Sequence, residues 1–207
     1  MRRSAAGFTL IEILVVLLVI SILASLVLVS VVSSVDTSRI TSTRTMIEQL
    51  NASVGRYETI YRDFPPTSLR RRGIAMPNGV NTGIESLLVC LMSKEKGGPY
   101  YTPSEESLSN HDKDRLAKTP PDWYFGDADL REICDMWGQP FVYFHFRDYE
   151  KPENDIANYT FGEQSAVCKP QKSEKTKMHH RPGKFQIWSI GPNGENENGG
   201  GDDIPNW

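Results

Sequence analysis

A run of 23 residues without a charged side chain, from Ile13 to Val35, constrains this chain more than any other feature of its sequence. Leucine, isoleucine and valine fill most of the run, and only serines and one alanine interrupt them. A helix needs about 20 apolar residues to cross the hydrocarbon core of a bilayer, whereas the apolar core of a secretory signal peptide has about 7–15. The sequence therefore predicts a transmembrane helix over residues 8–35.

Basic residues flank this segment on both sides. Arg2 and Arg3 precede it, and the positive-inside rule then favours a cytoplasmic N-terminus, with the rest of the chain across the membrane. Arg39 and Arg44 follow it, so the charges by themselves leave the orientation open. The formal net charge of the chain is −3, which gives no reason to expect a nucleic acid as a partner.

Glu12 is an acid close to the start of the apolar run. A carboxylate costs about 2.5–3.5 kcal/mol at the centre of a bilayer and less near its interface. One interpretation places Glu12 at the level of the lipid headgroups, without a function. The other is that cleavage after Gly7 makes Phe8 a new N-terminus, whose cationic amine pairs with Glu12 of an adjacent subunit. Such a pair would also fix the axial register of neighbouring helices.

The stretch Gly7-Phe8-Thr9-Leu10-Ile11-Glu12, followed by the long apolar run, resembles the prepilin signature of type IV pilins and type II secretion pseudopilins. The resemblance implies that residues 1–7 are a leader, which a prepilin peptidase removes between Gly7 and Phe8. It also implies N-methylation of Phe8, and assembly of the mature helices into a filament core through Glu12. The protein is then expected to cross the bacterial inner membrane once, with its C-terminal domain in the periplasm.

Apolar residues at helical spacing continue beyond the predicted span, which predicts an amphipathic extension of the helix over residues 36–62. The stripe consists of Ile40, Ile47, Leu50, Val54, Tyr57 and Tyr61. Pro65 and Pro66 are expected to follow its end. We interpret the stripe as the surface that packs on a sheet, within a globular domain that covers residues 63–207.

The globular part is predicted to be α+β, with the long N-terminal helix packed on a small antiparallel β-sheet, as in type IV pilins. Its expected elements are a second helix at Gly83–Ser93, a long irregular loop at Lys94–Trp123, a turn at Trp137–Pro140, an aromatic strand that ends at Phe146, a polar insertion at Arg147–Gly183 and a last strand at Lys184–Ile190. Three consecutive arginines, Arg70–Arg72, are consistent with a solvated loop or with a site for an acidic partner.

Several sequence blocks sharpen the resemblance to the major pseudopilin of type II secretion. In order they are Phe64–Thr67, Gly83–Leu87, Asp135–Phe141, Trp188–Gly194 and Asp203–Trp207. The segments between these blocks, at 67–82, 93–134 and 147–183, are longer than is usual in that group. The resemblance implies a homopolymer that works with minor pseudopilins, a prepilin peptidase, an inner-membrane assembly platform and its ATPase.

The C-terminal stretch GPNGENENGGGDDIPNW concentrates oxygen donors on a glycine-rich backbone, which suits calcium. By resemblance to the major pseudopilins, a calcium loop at 190–207 would use the carbonyl group of Ile190 and the side chains of Asn193, Asp202 and Asp203. Asn193 stands where an aspartate is usual in that group, and Glu195 or Glu197 would compensate for the missing charge. The alternative is a solvated acidic loop without a metal.

The sequence contains no nucleophile elbow, P-loop or zinc-protease motif, and we do not expect an enzyme. The cysteines Cys90, Cys134 and Cys168 are consistent either with one disulfide or with small buried side chains. A disulfide between Cys134 and Cys168 would favour a type IV pilin for adhesion, motility or DNA uptake. A membrane-anchored enzyme or binding module is a further alternative, in which Glu12 has no role in assembly.

Overall fold

A computed structural model describes residues 8–118, 128–150 and 154–207, without the side chains of residues 25–34 and 154–155. The chain divides into two compact units, Met1–Arg39 and Ile40–Trp207, which are described separately. The helices are α1 (Leu10–Tyr61), α2 (Thr82–Leu91) and α3 (Asn154–Ala157). The strands are β1 (Leu108–Ser109), β2 (Glu132–Ile133), β3 (Val142–His145), β4 (Asn158–Phe161), β5 (Gln164–Val167), β6 (Phe185–Ser189) and β7 (Ile204–Pro205).

The first unit contains the N-terminal part of α1, whose side chains from residue 8 to residue 24 are exposed in the single chain. Among the described residues, no helix offers a stretch that is both long enough and apolar enough to cross a membrane. The span predicted over residues 8–35 falls partly on residues 25–34, whose side chains lie outside the description. The predicted leader, residues 1–7, also lies outside the described residues.

In the second unit, the predicted apolar stripe of α1 is buried at Ile47, Leu50, Val54 and Tyr57 and partly buried at its two ends. Leu50 and Val54 are fully inaccessible to solvent, and they belong to one apolar cluster with the strand residues Phe144 and Trp188. The amphipathic part of the helix therefore contributes to the same apolar core as the strands. Arg62 adopts a left-handed conformation with φ of 59° just after the helix ends, ahead of the two prolines.

The second helix is confirmed, and all of its residues are buried. Gly83 lies in its first turn at a point where the helix approaches β3 closely. A Cβ atom built at Gly83 would lie 2.3 Å from the backbone oxygen of Tyr143 and 2.3 Å from the hydroxyl oxygen of Tyr159. The position therefore requires glycine for steric reasons.

The central sheet is antiparallel and has the order β3-β6-β7, which confirms the two predicted strands and the small antiparallel sheet. Tyr143 of β3 pairs with Ile187 of β6, and Ser189 of β6 pairs with Ile204 of β7. Every residue of β3 and β6 is buried, because both faces of these strands are covered. The strand β7 was not predicted, and it brings the C-terminus back to the edge of this sheet.

The polar insertion at Arg147–Gly183 contains an antiparallel hairpin, formed by β4 and β5, that was not predicted. Its two-residue connection includes Gly162 at a φ of 61°, a backbone conformation that favours glycine. Tyr159 and Phe161 alternate with more accessible residues along β4 and belong to the core. The expected irregular loop at Lys94–Trp123 contains β1, which pairs with β2, and its end from residue 119 onward lies outside the described residues.

The triple arginine forms a short 3₁₀ helix, Leu69–Arg72, instead of an irregular loop. Two of its guanidinium groups pair within the chain. Arg71 lies 2.5 Å from a carboxylate oxygen of Asp148, and Arg72 lies 2.7 Å from one of Glu95. The acidic partners of these two side chains are therefore intramolecular.

The three cysteines are buried free thiols. Cys90 lies in α2, Cys134 follows β2 and Cys168 follows β5. The structure therefore contains no disulfide loop closed by Cys134 and Cys168, and it agrees with the interpretation of the cysteines as small buried side chains.

Candidate functional site

Glu12 and Thr9 form a reciprocal cap at the start of α1. The backbone N–H and the hydroxyl group of Thr9 both donate to the Glu12 carboxylate, at 2.8 Å each. The backbone N–H of Glu12 donates back to the Thr9 hydroxyl oxygen at 3.3 Å. This is the capping box that the pattern Thr-x-x-Glu produces when Thr precedes the first helical residue. This cap was not predicted, although its pattern stands directly before the apolar run.

The capping box gives Glu12 a local role that differs from the assembly role predicted for it. A capping box accepts glutamine as well as glutamate, because its bonds require an acceptor and not a charge. An ion pair with a cationic N-terminus requires the charge. The two roles are therefore separable by a single substitution. Phe8, the predicted new N-terminus, is 80 % exposed, and Gly7 lies outside the described residues.

The C-terminal loop brings together two of the four predicted metal ligands and one of the compensating acids. The side-chain amide of Asn193 donates to the carboxylates of both Asp202 and Glu197, the latter at 3.3 Å. The backbone N–H of Asn193 also donates to Asp202, at 3.1 Å. The carboxylates of Glu197 and Asp202 therefore meet at the amide nitrogen of Asn193, whose side-chain oxygen accepts the backbone N–H of Glu195 at 2.6 Å.

Asp203 occupies a different part of the same loop. One of its carboxylate oxygens accepts the backbone N–H groups of Glu197, at 3.1 Å, and Gly199, at 2.6 Å. Its other oxygen is buried without a partner among the described residues, and burial raises the pKa of Asp203 to about 7. Ile190 is fully buried at the end of β6. An unpartnered carboxylate oxygen in a loop lined by amide and carboxylate oxygens fits an oxygen-seeking cation.

Trp207 anchors the loop. Its ring stacks on His180 with a centroid distance of 5.1 Å and meets Trp188 edge to face at 6.0 Å. Gly199 lies directly against the same ring, since a Cβ atom there would come within 2.3 Å of it. The indole N–H of Trp188 donates to Asn196 at 3.1 Å. The loop is therefore held by aromatic contacts at its base.

The block Asp135–Phe141 contacts the end of β6, from which the C-terminal loop continues. One carboxylate oxygen of Asp135 accepts the backbone N–H groups of Trp137, at 2.9 Å, and Gln139, at 3.0 Å. The other oxygen accepts the hydroxyl group of Ser189, at the end of β6. Two of the sequence blocks that carry the resemblance are thus joined by one buried carboxylate, whose role is structural.

A cluster of acids elsewhere in the second unit was not predicted. One side-chain oxygen from each of Glu85, Asp112 and Glu132 lies within 4.8 Å of the others. Burial and the neighbouring acids raise the pKa of Glu85 well above its ordinary value, and burial raises that of Glu132 to about 7. No sequence pattern marks this cluster, because its members come from three separate segments.

The N-terminal segment matches a known protein family. The family described as the prokaryotic N-terminal methylation motif matches residues 2–33. The chain carries a prepilin-type methylation motif. No curated protein and no solved structure matches the chain. The motif supports the resemblance to pilin-like prepilins, which are anchored in the membrane by this segment, processed by a prepilin peptidase and polymerised.

Proposed function

We propose that this chain is a structural subunit of the type II secretion pseudopilus, a filament that drives the export of folded proteins across the outer membrane. The observation that carries the proposal is the prepilin-type motif over residues 2–33. The sequence blocks around Asp135 and Trp188, and the C-terminal loop that ends at Trp207, support the pseudopilin class within the wider group. The proposed role is mechanical, without a catalytic centre.

Assembly is proposed to begin in the inner membrane, where residues 8–35 form a single-pass helix with a cytoplasmic N-terminus. A prepilin peptidase removes residues 1–7 and the new terminus, Phe8, is methylated. The amine of Phe8 keeps a positive charge, and it pairs with Glu12 of a neighbouring subunit as the helices leave the bilayer. Because this pair lies among packed helices, each partner neutralises a charge that would otherwise be buried alone.

The work of filament growth is assigned to other components. An ATPase and an assembly platform at the inner membrane would drive the addition of subunits, and minor pseudopilins would be further partners. The present chain supplies the repeating unit, whose globular domain, residues 63–207, lies in the periplasm.

A type IV pilus is the second candidate, because the N-terminal motif is common to both kinds of filament. Three buried free cysteines argue against a C-terminal disulfide loop of the pilin type. An oxygen-rich C-terminal loop stands in its place, with Asn193, Glu197 and Asp202 brought together. These two features favour the pseudopilus.

Calcium is proposed as the ligand of the C-terminal loop. The donors that the resemblance implies are the Ile190 carbonyl group and the side chains of Asn193, Asp202 and Asp203, and Glu197, which lies beside Asn193, would be the compensating acid. The ion would neutralise the acids that crowd this loop and would hold a segment that has few apolar contacts of its own. Calorimetric titration with CaCl₂ tests this assignment, because the Asp202→Asn chain is expected to lose the calcium ion of this loop.

Deleting the gene for this chain is expected to leave exported proteins folded but trapped in the periplasm, because the filament that moves them cannot form. The measurement is the distribution of a secreted enzyme between periplasm and medium, with restoration by the wild-type chain as the control. Normal secretion together with a loss of twitching motility or DNA uptake would contradict the proposal and assign the chain to a type IV pilus.

A further inference from the structure

Three carboxylates from separate parts of the second unit meet below the start of α2. Glu85 lies in the first turn of α2, Asp112 in the turn after β1, and Glu132 in β2. One oxygen of each lies within 4.8 Å of the others. Calcium binds oxygen at about 2.3–2.6 Å, so two ligands on opposite sides of one ion are about 5 Å apart. The spacing of the three oxygens therefore allows all of them to contact a single ion.

Two of the three carboxylates are held in place by neutral donors. Glu132 accepts the side-chain amide of Asn81 at 2.8 Å and the backbone N–H of His111 at 3.0 Å. Asp112 accepts the side-chain amide of Asn78 at 2.9 Å. These bonds orient the carboxylates without neutralising them, as outer groups do around the ligands of metal sites.

Glu85 has no such support. Its side chain is fully buried, and neither of its carboxylate oxygens has a hydrogen-bond partner among the described residues. Both oxygens of the neighbouring Asp114 are also buried, and no hydrogen-bond partner for them lies in the part of the chain that the structure describes. Burying a charged carboxylate without a partner is costly, and a folded protein avoids the cost by protonation, by pairing or by coordination of a metal.

The described residues offer this cluster no balancing side chain. The nearby Arg115 pairs with Asp129, with 2.6 Å between guanidinium nitrogen and carboxylate oxygen. Within the described ranges, no ion pair includes Glu85, Asp112 or Glu132. With Asp114, four acids of the described ranges thus lie together without an ion pair.

We propose that Glu85, Asp112 and Glu132 bind a divalent metal cation that prefers oxygen ligands, such as calcium, magnesium or manganese. This site is separate from the C-terminal loop, and it does not depend on the proposed function. The donor set contains carboxylates and no thiolate or imidazole, which selects hard cations over zinc or copper. The ion joins α2 to the turn after β1 and to β2, and so it fixes the long segment 93–134 to the core.

The test is a calorimetric titration of the full-length chain in detergent, freed of metal by a chelator, with CaCl₂, MgCl₂ and MnCl₂ in turn. We expect the Glu85→Gln chain to bind one metal ion fewer than the wild-type chain, because the amide keeps the size of the side chain and removes its charge. Asp112→Asn, at a half-buried position, is expected to lose the same metal ion. If Glu85→Gln does not fold, Asp112→Asn decides the outcome.

Two further variants serve as controls. Glu163→Gln removes an exposed acid in the β4–β5 turn and is expected to bind as the wild-type chain does. The Asp202→Asn chain is expected to lose the metal ion bound by the C-terminal loop and to keep the metal ion bound by the buried cluster. The proposal is overturned if the Asp112→Asn chain binds as many metal ions as the wild-type chain in all three titrations. It is likewise overturned if the Glu85→Gln chain folds and binds as many metal ions as the wild-type chain. It is also overturned if no ion binds the Asp202→Asn chain, since Glu85 would then be a protonated carboxyl group.

Discussion

Replacing Glu12 with glutamine is expected to abolish filament formation, while the chain is still cleaved and still begins α1 at the same residue. Glutamine preserves the bonds to Thr9, because a capping box needs only an acceptor at this position. It removes the charge that the N-terminal amine of a neighbouring subunit requires. Leaving one member of a buried ion pair alone costs about 3–5 kcal/mol, which weakens each subunit contact by roughly two to four powers of ten.

The measurement is the amount of subunit in the fraction of filaments sheared from cells, together with electron microscopy of that fraction. Thr9→Ala is the matched control, because it removes the cap and leaves the charge. Loss of a cap costs about 0.5–2 kcal/mol in helix stability, so this variant should still assemble. Filaments of normal abundance from the Glu12→Gln chain would show that the charge does not matter. A lack of filaments from the Thr9→Ala chain would show that the cap matters.

Replacing Gly83 with alanine is expected to lower the free energy of unfolding by about 2–4 kcal/mol, a large effect for one methyl group. The added carbon would lie 2.3 Å from the backbone oxygen of Tyr143, which cannot move without disturbing β3. It would lie equally close to the hydroxyl of Tyr159, which bonds the backbone N–H of Tyr143 at 3.1 Å and its oxygen at 3.2 Å. Urea denaturation of the full-length chain in detergent measures the change.

Gly55→Ala provides the comparison for this substitution. Gly55 is exposed within α1, and a Cβ atom there would meet nothing within 4 Å. Alanine in place of glycine within a helix is expected to stabilise the fold by about 0.5–1 kcal/mol. The two variants should therefore change stability in opposite directions. Equal changes would mean that α2 does not approach β3 as closely as described.

Elements with a strong local pattern could be predicted from the sequence. The stripe that includes Leu50 and Val54 repeats at helical spacing, and the aromatic residues of β3 and β6 form short apolar runs between turn signals. Burial on both faces makes such runs apolar throughout, and this local property remains visible in a single sequence. The N-terminal motif was similarly visible, because its residues are consecutive.

Features that depend on tertiary contacts could not be predicted in this way. The strand β7 has two residues, and it exists because Ile204 meets the edge of β6. Glu85 resembles an ordinary acid in the first turn of a helix, a favourable place for an exposed carboxylate. Its burial beside Asp112 and Glu132 results from the packing of distant segments. The β4–β5 hairpin, by contrast, had a usable signal in Gly162 and the alternation of Tyr159 and Phe161.

The N-terminus of the mature polypeptide tests the central claim most directly. The claim is that a peptidase exposes a cationic terminus at Phe8, which then pairs with Glu12 of another subunit. The measurement is mass spectrometry of the intact chain and of its N-terminal peptide, purified from cells that contain a prepilin peptidase. The account predicts a chain that begins with N-methylated Phe8, and a mature chain that still begins at Met1 would contradict it.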